Sequence, residues 1–465
     1  MRFENNDLGV GLDLGRMDPF ELSLSLWRSS FEFMTHLESG ALANPDEQRQ
    51  VGHYWLRSPS LAPSGYGDQI VESWSMLAKL AAEVSEQGFR QLLMIGVGGS
   101  ALGPQLLVDA LGGGDQGIEI LFIDNTDPDG FDRVFERLNS VDALVAVLSK
   151  SGGTKETRNA MLEARRFIES QGLDFPSRAI AVTTPGSGLD QLAISENWLG
   201  RLPLWSWVGG RTSITAMVGL LPLAFMGKDW QQFLRGASEM DELTRRNDSN
   251  NPALLLASAW LSANTPQNPR AMVVLPYKDR LALLARYLQQ LVMESIGKSH
   301  DMQGREIRHG LTVYGNKGST DQHAFVQQLR DGPDDCFCTF VASLIDREGE
   351  SMEVSEGITA GDYLAGFLIG TRNALTQVGR QSMTLLLERV DERRLGALIA
   401  LYERAVGLYA VQLGINAYHQ PGVEAGKKAA ARALEMQLSL LSGDSIPDND
   451  DASFLKARLK AQGRL

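Results

Sequence analysis

The chain has 465 residues, of which 43% are hydrophobic and 22% are charged, as in ordinary globular proteins, and it is too long for one common core. The formal net charge of −13 argues against a nucleic-acid partner, although an anionic small molecule can still bind where a few cations converge. The first residues lack a signal-peptide pattern, and no apolar run approaches the roughly 18 residues of a membrane span. We therefore expect a cytoplasmic protein that has no membrane contact.

Residues 1–65 are predicted to form helices and loops that pack on the unit after them. From about residue 91 the chain alternates short apolar strands, small or polar turns and helices. The predicted strands are 91–97, 118–124, 143–149, 178–184 and 201–208. Such alternation indicates a parallel sheet with helices on both faces.

A helical stretch follows, and a polar break at 247–251 marks the crossover to a second domain. Beyond it, predicted strands at 270–279, 309–315 and 334–345 again alternate with long helical stretches. The sequence therefore predicts an α/β protein with two tandem units, each a mainly parallel sheet flanked by helices.

The turn after the first predicted strand, in MIGVGGSALGPQLL at 94–107, is rich in glycine. Glycines let the backbone approach a ligand, and the helix that follows offers free N–H groups and a positive dipole end. A dinucleotide site is the rival interpretation, since Asp124 ends the next strand where a ribose-binding acid would lie. Ala101 replaces the third glycine of that fingerprint, a change that the fingerprint permits. From this turn alone, both interpretations stay open.

The loop SKSGGTKET, which begins at Ser149, is dense in hydroxyl groups. Ser149, Ser151 and Thr154 supply hydroxyl donors, and two glycines between them expose backbone N–H groups. A helix that begins near Thr154 aims its dipole at them, and the combination fits a phosphate monoester. A Rossmann unit needs no such second loop, and the P-loop pattern is absent. The alternative is an ordinary capped helix start with a solvated turn.

Two charged residues lie close to the start or the end of a predicted helix. Arg211 follows two glycines and precedes an apolar helix, so it either bridges that helix to an acid or holds an anion at the sheet edge. Glu294 falls at the margin of the apolar stripe of its helix, alongside Tyr287. A carboxyl group half inside an apolar helix end would have a raised pKa, which suits a general base. The alternative is a glutamate that pairs with a nearby lysine.

Polar residues at two further helix starts complete the candidates. His323 follows a turn of small and polar residues, and none of the six histidines shows a metal-binding spacing, so we predict no metal site. A lone histidine is usually structural. Gln420 precedes a helix that carries Lys427, and a lysine on a helix is normally a surface residue.

Five motifs in order between about residues 91 and 430 resemble the glucose-6-phosphate isomerase family, which is built from two sugar-isomerase domains. They read GVGGSALGP, SKSGGTKET, GGRTSI, MESIGKS with DQHAF, and QPGVEAGK. The resemblance implies a helical extension at 1–65, sugar-isomerase domains at 66–228 and 229–420, and a C-terminal helical segment at 421–465. Departures lie in Gly152-Gly153, where threonine is more usual, in the turn before His323, and in Pro421. They bear on substrate breadth more than on the chemistry.

The resemblance implies reversible isomerisation of glucose 6-phosphate and fructose 6-phosphate in glycolysis and gluconeogenesis, through an enediolate and after ring opening. Glu294 would move the proton, His323 with Lys427 would open the ring, and Arg211 would lie near the enediolate. The implied substrate contacts are Gly99, Ser100, Ser149, Lys150, Ser151, Thr154, Gln290 and Gln420. No metal or organic cofactor is implied. In the family the histidine comes from the other subunit, so a homodimer with shared active sites is implied.

Two other functions are alternatives, the first of them on the same fold. A non-catalytic sugar-phosphate sensor could lack the carboxylate and the histidine, and the presence of Glu294, His323 and Lys427 counts against it. A nicotinamide-dependent dehydrogenase would bind NAD, and we expect no such binding.

Overall fold

The computed structural model describes residues 3–17, 24–112, 117–447 and 449–465. In these ranges the strands are β1 (Phe3–Asn5), β2 (Val10–Asp13), β3 (Gln91–Ile95), β4 (Glu119–Ile123), β5 (Ala143–Leu148), β6 (Ala179–Thr183), β7 (Gly200–Pro203), β8 (Ala271–Pro276), β9 (Lys298–His300), β10 (Glu306–His309), β11 (Val313–Tyr314), β12 (Cys336–Ser343), β13 (Glu353–Ser355), β14 (Ile358–Thr359) and β15 (Ser382–Leu387). The helices are α1 (Leu24–Glu38), α2 (Tyr66–Gln87), α3 (Gly99–Leu111), α4 (Pro128–Phe135), α5 (Lys155–Ser170), α6 (Gly188–Ser195), α7 (Met217–Phe225), α8 (Trp230–Thr244), α9 (Pro252–Ala263), α10 (Leu284–Leu288), α11 (Val326–Asp331), α12 (Ala360–Gln377), α13 (Glu392–Gln412), α14 (Gly422–Ser442) and α15 (Asp450–Ala461). The chain divides into two compact units, Met1–Tyr418 and His419–Leu465.

The first sheet has the strand order β4-β3-β5-β6-β7, and all of its neighbours are parallel. Every residue of β5 and β6 is buried, because helices cover both faces of a parallel sheet. The five predicted strands are confirmed, although β7 ends at Pro203 and not near residue 208. The carboxyl ends of β3 and β5 lie side by side, so the loops after them share one edge of the sheet.

The second sheet has the order β1-β2-β15-β12-β8-β11. Strands β8, β11, β12 and β15 are parallel, whereas β2 pairs antiparallel with β15. The prediction of helices and loops for residues 1–65 is therefore wrong for β1 and β2, although α1 is helical. Strand β15 was not predicted at all. Strands β2 and β15 are stabilised by pairing with each other across most of the chain, which no local periodicity records.

Helix α13 is buried around its whole circumference. Each residue from 395 to 410 is buried, which is typical of a helix at the centre of a large core. It packs against α8, α9 and α1, and it carries Glu403 and Arg404 into the interior. None of the described helices has the combined length and hydrophobicity of a membrane span.

The C-terminal unit consists of α14 and α15, which pack against each other. Leu459 and Ala452 of α15 are buried, whereas Leu438 and Phe454 are exposed. The predicted helical segment at the C-terminus agrees with these two helices.

Candidate active site

Two predicted loops meet at the carboxyl edge of the first sheet. Ile95 of β3 pairs with Val147 of β5, so the glycine turn after β3 and the loop after β5 are neighbours. A Cβ atom added at Gly96 would lie 3.3 Å from the Cβ of Leu148. The turn at 96–99 and the hydroxyl loop, residues 149–154, thus form one continuous surface.

The hydroxyl loop is folded by its own hydroxyl groups. The Ser149 hydroxyl accepts a hydrogen bond from the Gly152 N–H at 3.1 Å and lies 3.4 Å from the Thr154 hydroxyl. Gly152 has a φ of +70°, and a Cβ there would lie 2.6 Å from the Leu189 nitrogen, so glycine is required at this turn. The loop turns back over the amino end of α5.

Thr154 precedes α5, but it does not cap the helix in the usual way. Among the described residues, its side chain accepts no hydrogen bond from the first turn of α5. The predicted alternative, an ordinary capped helix start with a solvated turn, is therefore wrong in its cap, although Ser151 and Gly153 of the turn are exposed. The amino end of α5 keeps its N–H groups directed at the hydroxyl loop, an arrangement that suits an anion.

Lys150 joins the hydroxyl loop to the segment that carries Arg211. Its ammonium donates hydrogen bonds to the Val208 carbonyl at 3.2 Å and to the Ser206 carbonyl at 3.4 Å. Burial, together with a smaller contribution from the charge of Arg49, lowers the pKa of Lys150 to about 8. The lysine therefore braces two segments of main chain as well as adding positive charge.

The glycine turn packs directly against the segments that carry Arg211 and Gln290. A Cβ at Gly99 would lie 1.8 Å from the Gly210 carbonyl oxygen, and one at Gly98 would lie 3.2 Å from the Gln290 amide nitrogen. Only glycine at position 99 permits this approach without displacement of the Gly210 backbone. Contacts thus run continuously from the hydroxyl loop through the glycine turn to Arg211 and Gln290. Ser100 lies at the start of α3, next to this contact.

Arg211 is buried, with 5% of its side chain exposed, and it forms an ion pair with Glu294 at 3.2 Å between Nη1 and Oε2. Its Nε donates to the Ser295 hydroxyl at 2.7 Å, and its Nη2 donates to the Ala417 carbonyl. Burial lowers the pKa of Arg211, and the charge of Glu294 opposes this shift. Of the two roles left open for Arg211, the structure establishes the bridge to an acid, and it places that bridge at the edge of the first sheet.

Glu294 lies half-buried, as predicted, with 26% of its side chain exposed. The apolar stripe of its helix is buried as predicted, at Leu281, Leu284, Leu288, Leu291 and Val292. The Gln290 amide donates to the Glu294 carboxylate at 3.2 Å. The partner of the carboxylate is Arg211, whereas the ammonium of Lys298 donates to the main-chain carbonyl of Glu294 at 2.7 Å. The predicted alternative of a simple glutamate–lysine side-chain pair is therefore wrong.

The helix that carries Glu294 is not a regular α-helix. It continues from α10 as a π-helical turn at Gln289–Glu294, whereas the sequence periodicity predicted an uninterrupted α-helix. Such π-helical insertions occur frequently at functional sites. The insertion is a property of the packed helix that hydrophobic spacing cannot record.

Two cations near this site were not among the predicted site residues. Arg49 donates to the Tyr418 carbonyl at 2.7 Å, next to the Ala417 carbonyl that accepts from Arg211. Burial lowers the pKa of Lys298 to about 8, and the charge of Arg211 contributes in the same direction. Lys298 stands in the motif MESIGKS, which could have identified it, whereas no local pattern marks Arg49.

His323 makes no bond to this cluster among the described residues of the chain. It is exposed at the end of a short helical turn, Asp321–His323. The neighbouring Gln322 amide donates to the Phe367 carbonyl of α12 at 3.3 Å. In the part of the chain that the structure describes, no hydrogen bond or ion pair joins His323 to Glu294 or Arg211.

Gln420 and Lys427 belong to the C-terminal unit. Gln420 precedes α14, and Lys427 lies in the second turn of that helix. Their roles in the site stay predictions. Asp124, the acid of the dinucleotide interpretation, accepts a hydrogen bond from Gln105 at 2.9 Å and pairs with Arg286 at 3.4 Å. Among the described residues, no cluster of histidine, cysteine or acidic side chains could hold a metal ion.

Fold and site together define an α/β protein with two largely parallel sheets and an arginine–glutamate pair beside a hydroxyl-rich loop. The Phosphoglucose isomerase family model matches residues 29–365 and 367–453. The chain belongs to this family.

Individual relatives agree with this assignment. A glucose-6-phosphate isomerase from Geobacter sulfurreducens is 54% identical over 447 residues, which are 92% of this chain and 84% of that protein. A second, from Gloeothece citriformis, is 52% identical over 94% of this chain and 86% of its own length. The crystal structure of a glucose-6-phosphate isomerase from Chlamydia trachomatis is similar, with a TM-score of 0.87, 26% identity, and coverage of 98% of this chain and 92% of that chain.

Proposed function

We propose that this chain interconverts glucose 6-phosphate and fructose 6-phosphate by acid–base proton transfer through an enediolate, after the sugar ring has opened. The observation that carries the proposal is the partly exposed Glu294 carboxylate, paired with buried Arg211 and linked by contacts to the hydroxyl loop. The relatives named glucose-6-phosphate isomerase support the choice of substrate. An aldose–ketose isomerase needs one base that can reach two adjacent carbons, and Glu294 would be that base.

The hydroxyl loop would hold the phosphate group. Ser149, Ser151 and Thr154 would donate hydroxyl hydrogen bonds, the amino end of α5 would add N–H groups, and Lys150 would add charge. The phosphate lies far from the reacting carbons of the sugar, so its binding energy can orient the substrate without taking part in the chemistry.

Glu294 would take the proton from C2 and return it to C1. Such a positioned base contributes roughly 10²–10⁴ in rate. Arg211 would stabilise the enediolate charge, and donors of this kind contribute about 3–4 kcal/mol. Gln290 would orient the carboxylate through its hydrogen bond at 3.2 Å, and Gly99 and Ser100 would contact the sugar. Each step is a proton transfer, so the reaction needs no metal or organic cofactor.

Ring opening would require His323, with Gln420 and Lys427 closing the site. We propose that His323 serves the active site of a second subunit in a homodimer. Its exposure, and the exposed Tyr363, Phe367 and Ile369 on the adjacent helix α12, support a subunit contact at this surface. We also propose the sugar-isomerase domain boundaries at 66–228 and 229–420, and action in the cytoplasm, in glycolysis and gluconeogenesis.

A coupled assay with fructose 6-phosphate in the presence of EDTA tests the proposal. We expect steady production of glucose 6-phosphate that EDTA does not reduce, because proton transfers through Glu294 need no metal. Absence of turnover with either sugar phosphate would contradict the function. Loss of turnover on adding EDTA, restored by a divalent cation, would contradict the metal-free mechanism alone.

A further inference from the structure

We propose that Lys298 is a positioning residue for Glu294: its ammonium caps the end of the helix at the Glu294 carbonyl and thereby holds the carboxylate against Arg211. The inference rests on the proposed function, since it assigns Glu294 to the proton transfer. Lys298 itself would not touch the substrate.

The end of the helix leaves the Glu294 carbonyl in need of a donor. After the last helical bond, from the Gly297 N–H to the Met293 carbonyl at 2.8 Å, the chain turns into β9 and its N–H groups no longer follow the helix axis. The Lys298 ammonium donates to the Glu294 carbonyl at 2.7 Å. A cation at this position also interacts favourably with the negative end of the helix dipole.

Three bonds hold the residues at the helix end in one arrangement. The Lys298 ammonium binds the Glu294 main chain, the Arg211 Nη1 pairs with the Glu294 carboxylate, and the Arg211 Nε binds the Ser295 hydroxyl. Without the ammonium, the last turn loses the bond that fixes the main chain of Glu294. The carboxylate can then rotate away from Arg211, and a small displacement of a catalytic group is costly to rate.

The surroundings of Lys298 indicate a specific role for its charge. The side chain is buried, with 7% of the residue exposed, and the charged groups that act on it are Arg211, Glu294 and Asp46. Burial of an ammonium is costly, and an arginine nearby adds repulsion. If Lys298 only filled space, an apolar residue could do so at a lower free-energy cost. The hydrogen bond of Lys298 to Glu294 is therefore the feature to test.

The experiment compares kcat and KM for fructose 6-phosphate in Lys298→Met, Lys298→Arg and the wild type. Methionine keeps the length of the apolar stem and removes the charged donor. We expect kcat to fall about 10- to 100-fold, the usual range for a lost hydrogen bond to a charged group. KM should stay within about twofold because the hydroxyl loop is unchanged. Lys298→Arg, which keeps a charged donor, should recover most of the lost kcat.

Arg178→Met is the matched control. Arg178 also donates to main-chain carbonyls, those of Ser140 at 2.7 Å and Ala143 at 3.4 Å, but it does so at the opposite end of β5 from the hydroxyl loop. We expect a lower thermal midpoint and an unchanged kcat. If Lys298→Met does not fold, Lys298→Gln is measured by the same criteria.

Two outcomes would overturn the role of Lys298: a wild-type kcat in the methionine variant, or equal losses of kcat in Arg178→Met and Lys298→Met. A wild-type enzyme inactive on both sugar phosphates would contradict the proposed function itself, so the two failures are distinguishable. The ratio of the kcat of the variant to that of the wild type tests only the positioning role.

Discussion

Two of the arginine–carboxylate clusters in the described part of the larger unit differ in their access to solvent. At the active site, Arg211 meets one carboxylate, and 26% of the Glu294 side chain is exposed. In the core, Arg57 lies between Asp241 and Glu403, and the side chains of all three are fully buried. The chemistry of the groups is the same, but Glu294 is partly exposed to solvent, whereas Asp241 and Glu403 are not.

The core cluster contains additional bonding partners. Arg57 donates to both oxygens of Asp241, at 2.5 and 3.0 Å, and Arg404 reaches both Asp241 and Glu38. The guanidinium groups of Arg57 and Arg404 also lie over the Tyr54 ring, at 5.1 and 4.1 Å from its centroid. A buried ionic group is stable only when its partners are all present. The comparison teaches that the exposure of the acid, more than residue type, separates the carboxylate proposed for catalysis from the structural ones.

The sharpest test of this difference is Glu294→Gln. The amide cannot accept the C2 proton, so kcat should fall about 10²- to 10⁴-fold. The thermal midpoint should stay close to that of the wild type because the side chain is partly exposed. Binding of the sugar phosphate, measured by calorimetry, should persist. Normal turnover would show that Glu294 is not the base.

Mutation of the core cluster should have the opposite effect: a loss of stability with little change in kcat. Arg57→Met removes the shared partner of two buried carboxylates and should lower the free energy of unfolding by about 3–5 kcal/mol, as when one member of a buried ion pair is lost. Urea denaturation measures this loss. At equal temperature, the fraction that remains folded should keep nearly normal kcat. Arg211→Met is the paired comparison, and its main loss should be in kcat.

The smallest expected effect concerns the pH dependence of stability. Burial raises the pKa of Glu403 from 4.5 to about 7, and Arg57 opposes the shift. Between these values the folded protein keeps a proton that the unfolded chain releases, so the free energy of unfolding should fall as pH rises through this window.

Glu403→Gln cannot titrate and should lose this component of the pH dependence. Urea denaturation at pH 5 and pH 7.5 measures the change in stability for each protein. The wild type should lose about 1–3 kcal/mol more than the variant across this interval, given that one pKa unit corresponds to about 1.4 kcal/mol. Equal slopes would show that Glu403 is ionised throughout and that its pairing with Arg57 outweighs burial.

The strands of the first sheet were predictable because each is a short apolar run between turn residues. The half-burial of Glu294 followed from its position at the margin of an apolar stripe. The π-helical turn at Gln289–Glu294 was not predictable, since a helix with one extra residue per turn depends on the packing of its neighbours. Strands β2 and β15 were missed because they pair with each other across hundreds of residues, and β1 joins the sheet by pairing with β2.

The amino-acid sequence by itself determined the alternating α/β pattern, the hydroxyl loop and the motifs that place the chain in its family, because each depends on residues close together in the chain. Only the tertiary structure decided that Arg211 pairs with Glu294 and that Lys298 binds the main chain of Glu294. It also decided that the core arginines are buried away from solvent. These contacts join segments up to hundreds of residues apart or depend on the exact end of a helix. Their energies come from burial and geometry, which local sequence does not specify.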